Sequence, residues 1–317
     1  MAVQTLLDPG PTTDGHSDTA RRAPGTVRAG DPRRPGAGAH RPTVWRRGVA
    51  DPRFWVAAPL LSLFTAFAAV PGAFARRDLQ ACDLSRSLEG PQRGHPFGFD
   101  LLGCDHYTRT IYGARSSLTI AVTVVAVALL VALVLGAVAG LRGGAVDTVI
   151  SRATDVAFGV PLVLGGLVVL AVQDQRGIPQ VAAVLAALSW PAMLRLMRIA
   201  VITQLQAAYV EAARALGASG WRIVLRHVLA GAVGPVLVYA TALTGTIVAA
   251  EATLSFMGVG LQLPAISWGL QLAAAQHHIG QAPHLLIPGA FVMLAVLGFV
   301  LVGEALRDAL DPRTGRG

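Results

Sequence analysis

The sequence predicts an all-α polytopic membrane protein with six transmembrane helices, and three observations carry that prediction. Hydrophobic residues make up 53% of the 317 positions and charged residues only 14%, where a soluble domain carries roughly 25%. Mean hydropathy is +0.56. The apolar residues gather into runs of about 20, the length at which a helix crosses a bilayer. The clearest of them, Leu118 to Leu141, contains no charge.

Taken in order, residues 1–53 read as a disordered cytoplasmic tail rich in Arg, Pro and Gly. Stretches such as Asp31-Pro32-Arg33-Arg34-Pro35-Gly36 cannot bury enough apolar surface to order themselves. A signal peptide is the rival reading; it fails on the long basic arm and the missing small-residue cleavage site. Six spans follow, near 54–75, 117–141, 154–173, 178–198, 228–250 and 284–303. This divides the chain into the tail, a first span with an extracytoplasmic loop (54–116), a membrane core (117–306) and a cytoplasmic C-terminus (307–317). Pro161 and Pro191 fall inside the third and fourth spans, where neighbouring helices can satisfy the carbonyls they free. Gly136, Ala137, Gly140, Gly165 and Gly166 would let helix backbones approach closely; GC-rich codon usage is the competing explanation.

The net charge of +8 comes entirely from Arg, since neither Lys nor Asn occurs. Within so apolar a chain the basic excess points to the membrane and not to nucleic acid. Without Lys there is no phosphate-loop lysine, which argues against ATP hydrolysis by this chain. Placing the N-terminus in the cytoplasm puts 19 Arg inside and seven outside, so the positive-inside bias predicts both termini cytoplasmic. The two cysteines are too few for a four-cysteine zinc site.

Between the fourth and fifth spans stands Tyr209-Val210-Glu211-Ala212-Ala213-Arg214-Ala215-Leu216-Gly217-Ala218-Ser219-Gly220-Trp221-Arg222-Ile223, then Arg226-His227-Val228-Leu229. Ala, Leu, Glu and Gln favour helix up to Leu216. Gly217 can take the left-handed conformation that ends a helix, and Ser219 can cap another. The product is two short helices at an angle on the cytoplasmic surface, a knob suited to a partner's groove. An ordinary amphipathic connector is the alternative.

Glu211-Ala212-Ala213 with Gly217 and Ile223 resembles the EAA loop of ABC importer permeases, in the dipeptide/oligopeptide/nickel branch. The resemblance extends upstream to His95-Pro96-Phe97-Gly98, Asp100, Gly103, Asp105 and Ile111 to Leu118. Downstream it includes Glu251, Leu254-Ser255-Phe256, Gly258, Gly260, Ser267-Trp268-Gly269, Gly303 and Leu306 to Arg313. Two departures stand out: Ala230-Gly231 where the family often has Pro-Asn, and Cys104 where it usually has Arg. The resemblance implies a type I importer permease in the bacterial cytoplasmic membrane. A second permease subunit would complete the translocation path. Two ATPase subunits would bind ATP and Mg, leaving no cofactor in this chain, and an extracytoplasmic binding protein would deliver solute. Glu211, Ala212, Ala213, Gly217, Ile223 and His227 would form the coupling loop (209–229), and no residue would be catalytic. Peptides are the expected solute, with nickel or another small solute as the alternative. An intramembrane enzyme would need a nucleophile or metal cluster within the spans, and none is visible.

Glu251, Ser255, Phe256 and Trp268 are candidates for the outer gate or solute path. An intramembrane acid is functional by default, although the family pattern assigns Glu251 a structural or gating role. Trp268 reads as an interfacial anchor, and Leu254–Pro264 as a segment that re-enters the outer leaflet or lines the gate. Arg152 and Asp155 read as an i, i+3 ion pair. His277, His278 and His284 lack clustered carboxylates or cysteines and read as solvated loop residues with no metal. Cys82 and Cys104, both in the first outer loop, could form a disulfide closing a loop of about 20 residues, worth roughly 3 kcal/mol on the chain-entropy model. Two unrelated small residues are the alternative.

Overall fold

The computed structural model describes residues 51–310. The predicted tail, apart from its last three residues, and residues 311–317, which include the Asp311-Pro312-Arg313 of the resemblance, lie outside them. Helix α1 (Pro52–Ala69) starts where the Asp51 carboxylate accepts the Arg53 amide and Pro52 opens the first turn, a position where proline's missing N–H costs nothing. Pro71 ends it six residues short of the predicted boundary, because the residue before a proline is driven out of the helical region.

The outer loop comes next, and then α2 (His106–Arg142), which begins eleven residues ahead of the predicted span. Asp105 sets that start by accepting both the Thr108 amide (3.0 Å) and the Thr108 hydroxyl (2.6 Å). The cap lies outside the apolar run, so hydrophobicity alone cannot locate it. Helices α3 (Gly144–Phe158) and α4 (Leu162–Ala171) correct the third prediction. The chain bends by 76° between them. Pro161 is extended, forces Val160 away from helix and supplies no amide, so the helix breaks where a continuous span was expected.

Helix α5 (Ile178–Leu205) carries Pro191 without breaking. After the short α6 (Ala208–Ala215) comes α7 (Gly220–Phe256), which runs unbroken through a π-helical segment at Val224–Leu229. Helix α8 (Trp268–Ala275) is capped by Ser267, whose hydroxyl accepts the Leu270 amide. Helix α9 (Pro283–Leu310) closes the described chain. Five helices are long and apolar enough to span a membrane, and the bent α3–α4 pair makes up to six.

The core lies where α2, α5 and α7 meet, filled by Ile120, Val124, Leu185, Met193, Met197 and Ile247, all fully buried. Gly136 and Gly140 lie directly against α5 at Leu194 and Val201. Helix α1 joins through an aromatic cluster in which Phe64 meets both Trp268 and Phe291 at 5.7 Å between centroids. Val122, Leu130, Val156, Leu164 and Val168 project outward, as expected where lipid or another apolar surface is the neighbour. The predicted Arg152–Asp155 pair is long, at 4.0 Å. Asp155 instead sits 2.9 Å from Arg195 of α5, and Asp147 is paired with Arg198, so both acids of α3 tie it across to α5.

Candidate coupling site and outer joint

Alanine-rich α6 ends in a complete Schellman turn. The Gly217 amide donates to the Arg214 carbonyl (2.9 Å) and the Ala218 amide to Ala213 (3.1 Å). Both bonds need a left-handed residue at position 217, and Gly217 has φ +79°. A Cβ there would meet nothing within 4 Å, so glycine is required for backbone conformation and not for space. Val210, Ile223 and Val228 are buried and hold the knob to the helical core, while Leu216 is 88% and Trp221 72% exposed. Glu211 and Ala212 lie on the exposed surface. His227 faces Tyr209 at 6.2 Å between ring centroids.

Two expectations need correction here. The second short helix is not separate: Gly220–Ile223 passes through the π-helical segment directly into α7. Ser219 occupies its N-cap position, but its hydroxyl makes no capping bond.

Toward the other end of α7, Glu251 is fully buried. Its carboxylate accepts from Ser117 of α2 (2.9 Å) and from Ser255 one turn on (2.8 Å). The Ser255 hydroxyl in turn accepts the Leu261 amide (3.1 Å). Leu254 to Phe256 still belong to α7, and the segment beyond turns back at Gly258 (φ +80°), its Val259 and Gly260 amides both reaching the Leu254 carbonyl. Nothing there forms a re-entrant helix. Trp268 is not an interfacial anchor. It is fully buried, and its indole N–H donates to the Thr110 carbonyl (2.9 Å). Gly269 makes this fit possible, since a Cβ would press against the Ala252 backbone at 2.6 Å. Of the four gate candidates only Phe256 is exposed. Glu251, Ser255 and Trp268 form a joint between α2, α7 and α8. Ser117 enters the sequence reading only within the Ile111–Leu118 resemblance, with no role assigned, and Gln271, whose amide donates to the Arg109 carbonyl at 3.1 Å, is not read at all.

The outer loop is tightly built. Cys82 and Cys104 are joined by a disulfide. Asp100 accepts the Leu102 and Cys104 amides and pairs with Arg109 at 2.8 Å. His95 bridges Asp105 (2.7 Å) and Arg77 (2.8 Å). Burial opposes ionisation of Asp105, but hydrogen bonds from Thr108 and His95 outweigh it and hold the carboxyl below its usual range. His277 is exposed, whereas His284, expected to be solvated, is partly buried and bonds to the Phe99 carbonyl (3.1 Å). Among the described residues no group of three or more His, Cys, Asp or Glu is placed to hold a metal ion.

Residues 132–316, more than half of the chain, match the family described as binding-protein-dependent transport system inner membrane component. The chain is 38% identical over 232 residues to the glutathione transport system permease protein GsiD of Pectobacterium atrosepticum, covering 73% of this chain and 77% of that one. It is 37% identical over 230 residues to the dipeptide transport system permease protein DppC of Alkalihalophilus pseudofirmus, covering 72% and 75%. It is 33% identical over 241 residues to the oligopeptide transport system permease protein OppC of Bacillus subtilis, covering 76% and 79%. The chain therefore belongs to the inner-membrane components of binding-protein-dependent transport: it is a multi-pass, non-catalytic permease subunit of the peptide and glutathione branch of ABC importers, working with ATPase partners that bind the ATP and with a solute-binding protein.

Proposed function

We propose that this subunit forms one half of a translocation path for dipeptides or oligopeptides, completed by a second permease subunit, with both termini in the cytoplasm and two ATPase subunits bound below the pair, one of them on the α6 knob. The observation that carries the coupling role is the knob itself. It exposes Leu216 and Trp221 while Val210, Ile223 and Val228 fasten it to the core. Because Gly220 opens a 37-residue helix, movement of the knob is carried along α7 for about 47 Å to Glu251. Rigid displacement of packed helices between two arrangements is an established way to convert such motion into alternating access. In this reading Glu211 pairs with a basic residue in the ATPase groove, Gly217 sets the angle of the knob, and His227 supports it through Tyr209. Ser255, Phe256 and Trp268 act with Glu251 at the outer gate as a packing joint. Support for a peptide solute comes from the relatives, whose names specify glutathione, dipeptides and oligopeptides.

A photo-crosslinking residue placed at Leu216 or Trp221 in the full importer tests the docking. The ATPase subunit should be captured at both positions and not from Leu84, which is 73% exposed in the outer loop. Capture at Leu84 but not at Leu216 would reverse the assignment.

A further inference from the structure

An open cavity of about 270 Å³ lies at the break between α3 and α4, against α5 and α7. Two features of its wall carry unmet polar groups. The first is the break itself. Phe158 and Val160 line the cavity, and the carbonyls of Phe158, Gly159 and Val160 accept no hydrogen bond among the described residues. The second is Tyr239 of α7, midway along the fifth predicted span. Its hydroxyl has no partner among the described residues and, unlike the Ser189 Oγ on the same wall, is not enclosed. Thr246 shares the wall two turns further on, and the exposed Thr253 follows at the same interval. Their hydroxyls donate to the Ala242 (3.2 Å) and Ala249 (2.8 Å) carbonyls, which leaves their acceptor lone pairs free. One face of α7 thus carries a hydroxyl about every 10 Å from mid-span to its outer end.

Neither feature suits a lipid-facing surface. Irregular backbone at membrane depth is tolerated only where it is buried in protein or lines a water-filled cavity. Tyrosine facing lipid gathers at the two interfaces and not at mid-span. The wall also specifies what passes along it. It offers oxygen acceptors and the apolar surface of Leu162, Leu188 and Leu243, but no charged side chain, imidazole or thiol. A transition-metal ion finds none of its usual side-chain ligands there, whereas an amide N–H finds a series of acceptors. The volume lies just under the roughly 300–1,000 Å³ of a complete small-molecule pocket, as fits one wall of a path shared with a second subunit. We infer that this cavity is the mid-membrane section of the solute path. Tyr239, Thr246 and the carbonyls of 158–160 receive the backbone N–H groups of a passing peptide, and the leucines accommodate its side chains. Solute contact is thereby placed about 18 Å along α7 inward of the Glu251 joint. The inference rests on the peptide-permease reading above.

Both native cysteines are held in the disulfide, so Thr246→Cys gives the chain its one free thiol. In the complete importer in lipid nanodiscs, that thiol should react with a charged methanethiosulfonate, and L-alanyl-L-alanine at high concentration should slow the reaction. Val168→Cys, on the outward face of α4, should not react. In proteoliposomes with the binding protein, Tyr239→Phe should slow uptake of radiolabelled L-alanyl-L-alanine and L-leucyl-L-leucine by the same factor, roughly fivefold, because the contact is to the backbone. Thr246→Trp, which fills the cavity, should block uptake of both while the complex elutes unchanged on size exclusion. An unreactive Thr246→Cys in an importer that takes up dipeptides would overturn the path assignment alone, and the face would then belong to lipid or to the second permease. Parental uptake by both Tyr239→Phe and Thr246→Trp would overturn it as well. If Thr246→Cys reacts but the parent importer takes up neither dipeptide, the peptide contacts fall together with the reading they rest on.

Discussion

Replacing Gly217 tests the coupling turn most directly, because the structure isolates one cause. Among the described residues no atom lies within 4 Å of a Cβ at this position, so a side chain meets no steric obstacle there. What it meets is φ +79°. An L-residue in that region costs roughly 1–2 kcal/mol, and a β-branched one is a greater outlier. The cost falls on the two bonds that close α6, from Gly217 to Arg214 and from Ala218 to Ala213. One to two kcal/mol shifts a local equilibrium roughly 5–30-fold, enough to leave the knob misdirected most of the time without unfolding the helical core, which a Cβ at 217 does not contact. Gly217→Val should therefore insert, assemble and melt like the parent, yet lose most solute-stimulated ATP hydrolysis in proteoliposomes containing the complete importer and its binding protein. Gly217→Asn should retain most of it, since asparagine tolerates the left-handed region. Full coupling by the valine variant would refute the reasoning. So would an asparagine variant as defective as valine, because the partner would then be excluding any side chain and the backbone angle would be irrelevant.

Glu251→Ala leaves the buried Ser117 and Ser255 hydroxyls without their acceptor, at about 1–3 kcal/mol each. Glu251→Gln retains one acceptor oxygen and should lower the thermal midpoint less; equal midpoints for the two variants would contradict this. In whole cells, a thiol-reactive mass tag should label Cys82 and Cys104 only after reduction, and Cys104→Ser should make the outer loop sensitive to protease, in line with the roughly 3 kcal/mol expected for a loop of this length. Asp105 supplies a pH dependence. Its carboxyl is held below the usual range by Thr108 and His95 against the opposing effect of burial, so its contribution is complete above the ordinary carboxylate value of about 4 and is lost as pH falls through its own lower value. Proteolytic resistance of the outer loop should be flat from pH 7 to about pH 5 and fall below about pH 4. Asp105→Asn should flatten that fall; an unchanged profile would assign it to other groups.

By itself the sequence determined the features that depend on neighbours along the chain. Run length and the scarcity of charge identified the spans, because crossing a bilayer is a matter of consecutive apolar residues. Gly217 was readable because a helix-ending turn involves only a few adjacent residues. The pairing of Cys82 with Cys104 was readable because the chain offers no other cysteine. Tertiary structure decided whatever depends on partners far away in sequence. Trp268 looks like an interfacial tryptophan until α8 docks on α2 and its indole reaches Thr110, 158 residues distant. Glu251 looks like a pathway acid until Ser117, 134 residues away, meets it. Asp155 has Arg152 within one turn, yet it lies nearer Arg195, because α3 packs against α5. Pro191 and Pro161 carry the same local signal, yet α5 continues through the first while the chain breaks at the second. Proline removes one amide in both places; whether the helix can absorb the loss depends on the surfaces packed around it, which the linear order of residues does not contain.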